Sequence, residues 1–217
     1  MSFNQCHKRF KVLVILCVII LSCFSIRVNA EKVSMVVLGD SLSAGYGLSE
    51  SDAWVTLIQE QWASDYPHYE LVNASISGET TSGGLRRLPT IITQHEPDWV
   101  FIELGGNDGL RGFQLAEMRS NLNAMIDLLQ EKGIAVALSA VEIPPNFGPR
   151  YTAMFRDLFA EVAESQGIEL IPFFMLEIAL NPEWMQNDGI HPNLAAQPEI
   201  AKIMEPKLRA LMEQTNK

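Results

Sequence analysis

Cysteine is missing from most of this chain. The 217 residues contain three, Cys6, Cys17 and Cys23, all within the first thirty. Residues 31–217 can therefore form no disulfide, no Cys-ligated zinc site and no thiol nucleophile. Histidine is nearly as scarce: beyond residue 30 there are only His68, His95 and His191, too few and too scattered for a histidine zinc centre. Basic charge is short, with 16 Lys+Arg against 26 Asp+Glu and a net charge of −10. An acidic surface repels phosphate backbones and anionic headgroups, which excludes nucleic acid as a natural partner. No Gly-x-x-x-x-Gly-Lys-Ser/Thr loop and no His-Glu-x-x-His pair is present, so the glycines of residues 78–84 do not make a P-loop. Repeats, low-complexity runs and Pro/Gly-rich linkers are absent as well.

The longest apolar run is Val12–Phe24, broken only by Ser22. It falls short of the roughly 20 residues that cross a bilayer. Lys8, Arg9 and Lys11 precede it and Val28-Asn29-Ala30 follows it, the anatomy of a secretory signal peptide cleaved before Glu31. Residues 1–30 are thus expected to be a signal peptide, with residues 31–217 as one periplasmic domain, monomeric and without stable membrane insertion once the signal is gone. A second arrangement is a lipoprotein anchored at Cys23, because Ile20-Leu21-Ser22-Cys23 loosely resembles a lipobox. Removing the signal takes four basic residues (Lys8, Arg9, Lys11, Arg27) and no acidic one, so the remainder is still more acidic.

Beyond residue 30 short apolar runs alternate with helical periodicity. Strands are expected at Val33–Leu38, Leu71–Ala74, Trp99–Leu104, Ile134–Leu138 and Ile168–Phe173, the last weakened at its end by Pro172. Helical stripes run through Trp54, Leu57, Ile58 and Trp62; Leu115, Met118, Leu122, Met125, Ile126 and Leu129; Tyr151, Met154, Phe155, Leu158, Phe159 and Val162; and Ile200, Ile203, Met204, Leu208 and Leu211. Continuous apolar strands separated by helices imply an α/β fold with a five-stranded parallel sheet covered on both faces. Ligands of such sheets sit beyond the carboxyl ends of the strands. Ser41, Gly78 and Asn107 follow the first three strands, and Asp188 and His191 follow the fifth, so all map to that edge.

These residues have the types required for acyl transfer through a serine ester. Ser41, in Gly39-Asp40-Ser41-Leu42-Ser43, is the candidate nucleophile, although Ser at a strand-to-helix turn also serves as an N-cap. Position 43 is Ser where the α/β-hydrolase nucleophile elbow requires Gly, so that design is excluded. His191 is the candidate base, oriented by Asp188 three residues before it; the same Asp-x-x-His spacing also makes an Asx-turn. The candidate oxyanion donors are the Ser41 and Gly78 N–H groups and the Asn107 amide, while Ser77-Gly78 and Asn107-Asp108-Gly109 also suit plain turns. His68 and His95 lie in polar segments and are expected at the surface.

The four blocks Gly-Asp-Ser-Leu-Ser, Gly78, Gly-Gly-Asn-Asp and Asp-Gly-Ile-His-Pro together resemble the SGNH (GDSL-type) hydrolases, whose namesake residues would be Ser41, Gly78, Asn107 and His191, with Asp188 completing the triad. The longer segments Asn-Ala-Ser-Ile-Ser-Gly-Glu-Thr and Glu-Leu-Gly-Gly-Asn-Asp-Gly-Leu-Arg-Gly are most similar to the exported thioesterase/lysophospholipase/arylesterase branch of Gram-negative bacteria. The resemblance implies a three-layer α/β/α, flavodoxin-like fold, no metal or cofactor, and ester or thioester substrates. It also implies an acyl groove near the catalytic face, for which Leu110, Phe113, Ile143, Pro144 and Phe147 are the expected apolar walls, by position in the loops 109–113 and 143–150. Loop packing accounts for the same residues. Arg111 is either a phosphate contact or a solvated charge. Two rivals remain at this stage: a carbohydrate O-deacetylase of the same family, and a lipid carrier that keeps the fold without the chemistry.

Overall fold

A computed structural model describes residues 32–216 of the protein. The expected signal peptide and the Cys23 anchor lie outside the described residues. Five parallel strands form one sheet: β1 (Val33–Gly39), β2 (Tyr69–Asn73), β3 (Trp99–Glu103), β4 (Ala135–Ser139) and β5 (Glu169–Ile171). Their spatial order is β2-β1-β3-β4-β5. The eight helices named here are α1 (Ser41–Ala44), α2 (Trp54–Asp65), α3 (Thr81–His95), α4 (Gly106–Leu110), α5 (Leu115–Glu131), α6 (Pro149–Gln166), α7 (Met175–Ile178) and α8 (Gln197–Met212).

The period of two along a strand sends alternate side chains to opposite faces, and the strand sequences fill both. Met35, Val37, Phe101 and Ala137 pack on one side with Trp54, Ile58 and Trp62 of α2 and Ile200, Met204 and Leu208 of α8. Val36, Leu38, Val100, Ile102, Val136 and Leu138 pack on the other with α3, α5 and α6. On that second face Leu122, Met125 and Ile126 are fully buried, each stabilising the fold by about 1.5–3 kcal/mol. The result is the three-layer α/β/α arrangement. Polar ties lock the first layer: Trp54 Nε1 donates to the Leu42 carbonyl at 3.2 Å and the Trp54 N–H to Gln197 Oε1 at 3.0 Å.

Strand ends fall within two residues of the expected ones, and β5 is the most shortened. There the run Ile168–Phe173 pairs only over Glu169–Ile171, because Pro172 has no N–H for the ladder and ends it. Helix α3 carries Gly83, Gly84 and Pro89 in its interior. At Gly84 a Cβ would sit 2.3 Å from Leu104 Cδ1, so close helix–sheet packing, not turn formation, accounts for that glycine.

The chain runs from β1 outward to β2 and then crosses back to β3 on the other side of β1. This reversal opens a crevice between the carboxyl ends of β1 and β3, the place where ligands bind in open parallel sheets. Gly39 and Glu103 are in register there. Ser41 lies just past the first of these ends and Asn107 just past the second.

Candidate active site

Ser41 is the first residue of α1, so its N–H has no partner within the helix. Asp40, not Ser41 or Ser43, is the cap: its Oδ1 accepts from the Leu42 N–H at 3.0 Å. The serine hydroxyl is thereby free for other work, and its Oγ lies 2.9 Å from His191 Nε2. His191 Nδ1 lies 2.7 Å from Asp188 Oδ2. The other oxygen of Asp188 accepts the N–H groups of Ile190 at 2.9 Å and His191 at 3.0 Å. Both readings of the Asp-x-x-His spacing therefore hold at once: one oxygen makes the Asx-turn and the second orients the imidazole. These bonds, led by the one from the His191 N–H, hold the Asp188 carboxyl down to about 2, so it is ionised wherever a histidine can act as a base.

The loop carrying Asp188 and His191 follows no strand directly and is fixed by its own bonds. Met185 and Pro192 form an antiparallel bridge, and Gln186 Nε2 donates to the carbonyls of Tyr46 at 2.7 Å and Pro192 at 3.0 Å. The Tyr46 ring lies 4.3 Å from the His191 ring, centroid to centroid. Neither Gln186 nor Tyr46 stood out in the sequence, since each acts through a contact some 140 residues away along the chain.

Asn107 is the second residue of α4, reached through Gly105 at φ 119°, a conformation that only glycine adopts readily. Its Nδ2 donates to Asp40 Oδ2 at 3.0 Å. Gly78 occupies the third position of a turn closed by the Glu79 N–H to Ile76 carbonyl bond (3.1 Å), at φ 80°, as a glycine-requiring β-turn demands. The Ile76 N–H to Gly39 carbonyl bond (3.1 Å) ties this turn to the end of β1. Arg111 does not line the cavity; its Nη2 donates to the Gly78 carbonyl at 3.1 Å.

A cavity of about 410 Å³ opens beside Ser41, Asn107 and His191, within the usual size range for small-molecule sites. Of the expected apolar walls, Leu110, Ile143 and Pro144 line it. Phe113 and Phe147 do not: Phe113 is exposed, and Phe147 packs toward Tyr151 beside a separate depression. Much of the wall comes instead from the segment after β5, with Met175 and Leu176 of α7, then Ala179, Leu180, Met185 and Ile190. Helix α7 is a single turn, too short to show a hydrophobic period, which is why the sequence did not disclose it. Leu180, Leu176 and Ile190 are exposed, so the mouth of the cavity is apolar as well.

His68 is half-buried against Tyr69 and His95 is exposed at the end of α3. Among the described residues, no group of three or more His, Cys, Asp or Glu is arranged to hold a metal ion, and no helix is long and apolar enough to cross a membrane.

A three-layer α/β/α sheet with a Ser–His–Asp relay at its switch point defines a serine hydrolase of the non-elbow type. Residues 37–197 match the GDSL-like lipase/acylhydrolase family. The chain belongs to that family and is a hydrolase. It is 42% identical to an arylesterase of Vibrio mimicus over 89% of this chain and 96% of that protein. It is 45% identical to thioesterase 1/protease 1/lysophospholipase L1 of Escherichia coli K12, over 82% of this chain and 85% of that one. Among solved structures it is similar to the psychrotrophic esterase EstA from Pseudoalteromonas, in a form inhibited by monoethylphosphonate. The TM-score is 0.81 with 44% identity, covering 83% of this chain and 98% of that one.

Proposed function

We propose that the protein hydrolyses carboxylic esters and thioesters of fatty acids, among them aryl esters, acyl-CoA and lysophospholipids, through an acyl-enzyme on Ser41. The observation that carries this reading is the Ser41–His191–Asp188 relay, at 2.9 and 2.7 Å, opening onto an apolar cavity. The Asp188 contact dictates a proton on His191 Nδ1, which leaves Nε2 to take the Ser41 proton as Oγ attacks the acyl carbonyl. The tetrahedral oxyanion is held by the N–H groups of Ser41 and Gly78 and by the Asn107 amide. The imidazolium then protonates the departing alcohol or thiol, leaving the acyl group on Ser41. Water, deprotonated by the same Nε2, attacks that ester and releases the fatty acid and the free serine. Leu110, Ile143, Pro144, Leu176 and Leu180 receive the acyl chain.

The test is hydrolysis of p-nitrophenyl esters from acetyl to palmitoyl by residues 31–217, beside Ser41→Ala. Turnover that prefers a medium or long chain and vanishes in the variant is the expected result. A strict preference for acetyl would point to a carbohydrate deacetylase of the same family, and tight fatty-acid binding without turnover to a carrier. The N-terminal segment supports export to the periplasm, checked by N-terminal sequencing of the exported protein, which is expected to begin at Glu31.

A further inference from the structure

Two acids beneath the site exchange no proton with the substrate. Glu103 ends β3 with no exposed surface, and Asp40 is 2% exposed. Glu103 Oε2 accepts from Ser43 Oγ at 2.7 Å and from the Asp40 N–H at 3.4 Å. Its Oε1 is buried without a hydrogen-bond partner among the described residues. Asp40, in contrast, has a donor on each oxygen: the Leu42 N–H on Oδ1 and Asn107 Nδ2 on Oδ2, both at 3.0 Å. Gly106 eases this approach, since a Cβ there would make a tight 3.1 Å contact with Asp40 Oδ2.

Two carboxyl groups in one buried patch do not both ionise readily. The donors decide which one keeps the proton. A charge on Glu103 would leave an ionised oxygen facing no donor, whereas a charge on Asp40 is met on both oxygens. The anion therefore belongs to Asp40 and the proton to Glu103.

That assignment acts on Asn107, whose amide presents nitrogen or oxygen depending on a simple flip. A carboxylate only accepts, so it holds Nδ2 on its side, and the second hydrogen of that nitrogen serves the cavity that Asn107 lines. A protonated Asp40 would donate instead, draw the amide oxygen toward itself, and set a carbonyl where the oxyanion forms. We propose that Asp40 is a positioning residue that locks the amide nitrogen of Asn107 toward the oxyanion, with Glu103 beneath it holding the single proton of the pair. This rests on the reading of Asn107 as an oxyanion donor. Burial pushes Asp40 up to about 6, against its bonds from Leu42 and Asn107 and the charge of His191, with Asp108 of α4 pushing the same way as burial. Burial, with the Asp40 charge, raises Glu103 well above the carboxylate range. Glu142 lines the same cavity.

The first test is the ¹⁵N–¹H signal of the Asn107 side-chain amide, followed with pH in His191→Ala to remove the imidazole titration. It is expected to titrate with a midpoint at or above about 6, since this variant lacks the His191 charge that holds Asp40 down. In the added Glu103→Gln variant that midpoint is expected to stay within about 0.3 of a unit, because the residue replaced carries no charge there. A signal that stays flat overturns the lock. A midpoint that drops by about a unit or more places the proton on Asp40 and overturns the assignment.

The second test is kinetic. In Asp40→Asn the one remaining acceptor is needed by the buried Leu42 N–H, so the new amide faces Asn107 and forces the flip. kcat is expected to fall about 10²-fold or more, with KM within about threefold. Adding Asn107→Ala is expected to cost under about threefold more, since the donor is already misplaced. Losses that multiply overturn the proposal. Asn107→Ala with full kcat would remove Asn107 from the mechanism, and the amide titration would still decide whether Asp40 holds it.

Discussion

His191 Nε2 and Ser41 Oγ lie 2.9 Å apart although 150 residues of chain separate them. One stands on the turn after the first strand and the other on a loop after the last. The contact exists because the sheet delivers Ser41 to its carboxyl edge, while the Met185–Pro192 bridge and the Gln186–Tyr46 bond hold the His191 loop over it. Removing the hydroxyl in Ser41→Ala is expected to lower kcat by about 10⁴-fold or more, with fold and melting temperature kept. Ester turnover of the purified variant, set against the unchanged circular dichroism spectrum, is the check.

Asp188→Asn tests orientation apart from proton transfer. The amide is nearly the same size but lets the imidazole take the wrong tautomer, and a loss of about 10³–10⁴-fold in kcat is expected. Because Asp188 is held down to about 2, its own titration contributes nothing to the pH–rate profile above about pH 4. Replacing it is therefore expected to lower the whole profile, not only one limb.

The walls of the cavity set chain length. Ala179 is exposed at the mouth, beside Leu176 and Leu180. Ala179→Trp is expected to cut kcat/KM for decanoyl and longer esters by about tenfold or more, while acetyl and butyryl esters change little. Competition between p-nitrophenyl acetate and decanoate measures the ratio directly. Phe113→Ala and Phe147→Ala, away from the cavity, are expected to leave that ratio unchanged.

Stability should carry the mark of the buried Asp40. Burial raises this carboxyl from 3.8 to about 6, so the folded state holds its proton more tightly than the unfolded one. Its contribution is fully present below about pH 4 and is lost as pH rises through about 6, on the order of 3 kcal/mol. Asp188 has the opposite sign: its contribution is present above about pH 4 and lost as pH falls toward about 2. Relative to the parent, Asp40→Asn is expected to melt at a progressively higher temperature as pH is raised from about 4.5 to about 7.5. Thermal melts at the two pH values give the difference.

Gly109 tests packing under the site. A Cβ there would meet Phe155 at 2.5 Å and Ile143 at 2.8 Å, both buried. Gly109→Ala is expected to destabilise by about 1–3 kcal/mol, measured by urea denaturation.

The parts legible in the sequence were those with a local signal. Apolar runs such as Val33–Leu38 report burial on both faces by their continuity, stripes such as Leu115–Leu129 report it through a period of 3.6, and short motifs at strand ends report turns. The parts that escaped it depend on distant contacts. Leu176, Leu180 and Ile190 line the cavity from a one-turn helix and a loop, where no period exists. Phe113 and Phe147 share loops with wall residues but not their direction. Glu103 carries a signal of its own: an acid inside the wholly buried strand Trp99–Glu103 needs a physical reason to be there. Asp40 was hidden inside the Gly-Asp-Ser motif, where Ser41 draws the attention.

Covalent trapping bears most directly on the central claim. The protein would be treated with a fluorophosphonate, digested, and the adduct located by mass spectrometry. One adduct per chain on Ser41, absent from Ser41→Ala, is the expected result. An adduct on another residue, or ester turnover that survives in Ser41→Ala, would contradict the serine mechanism set out above.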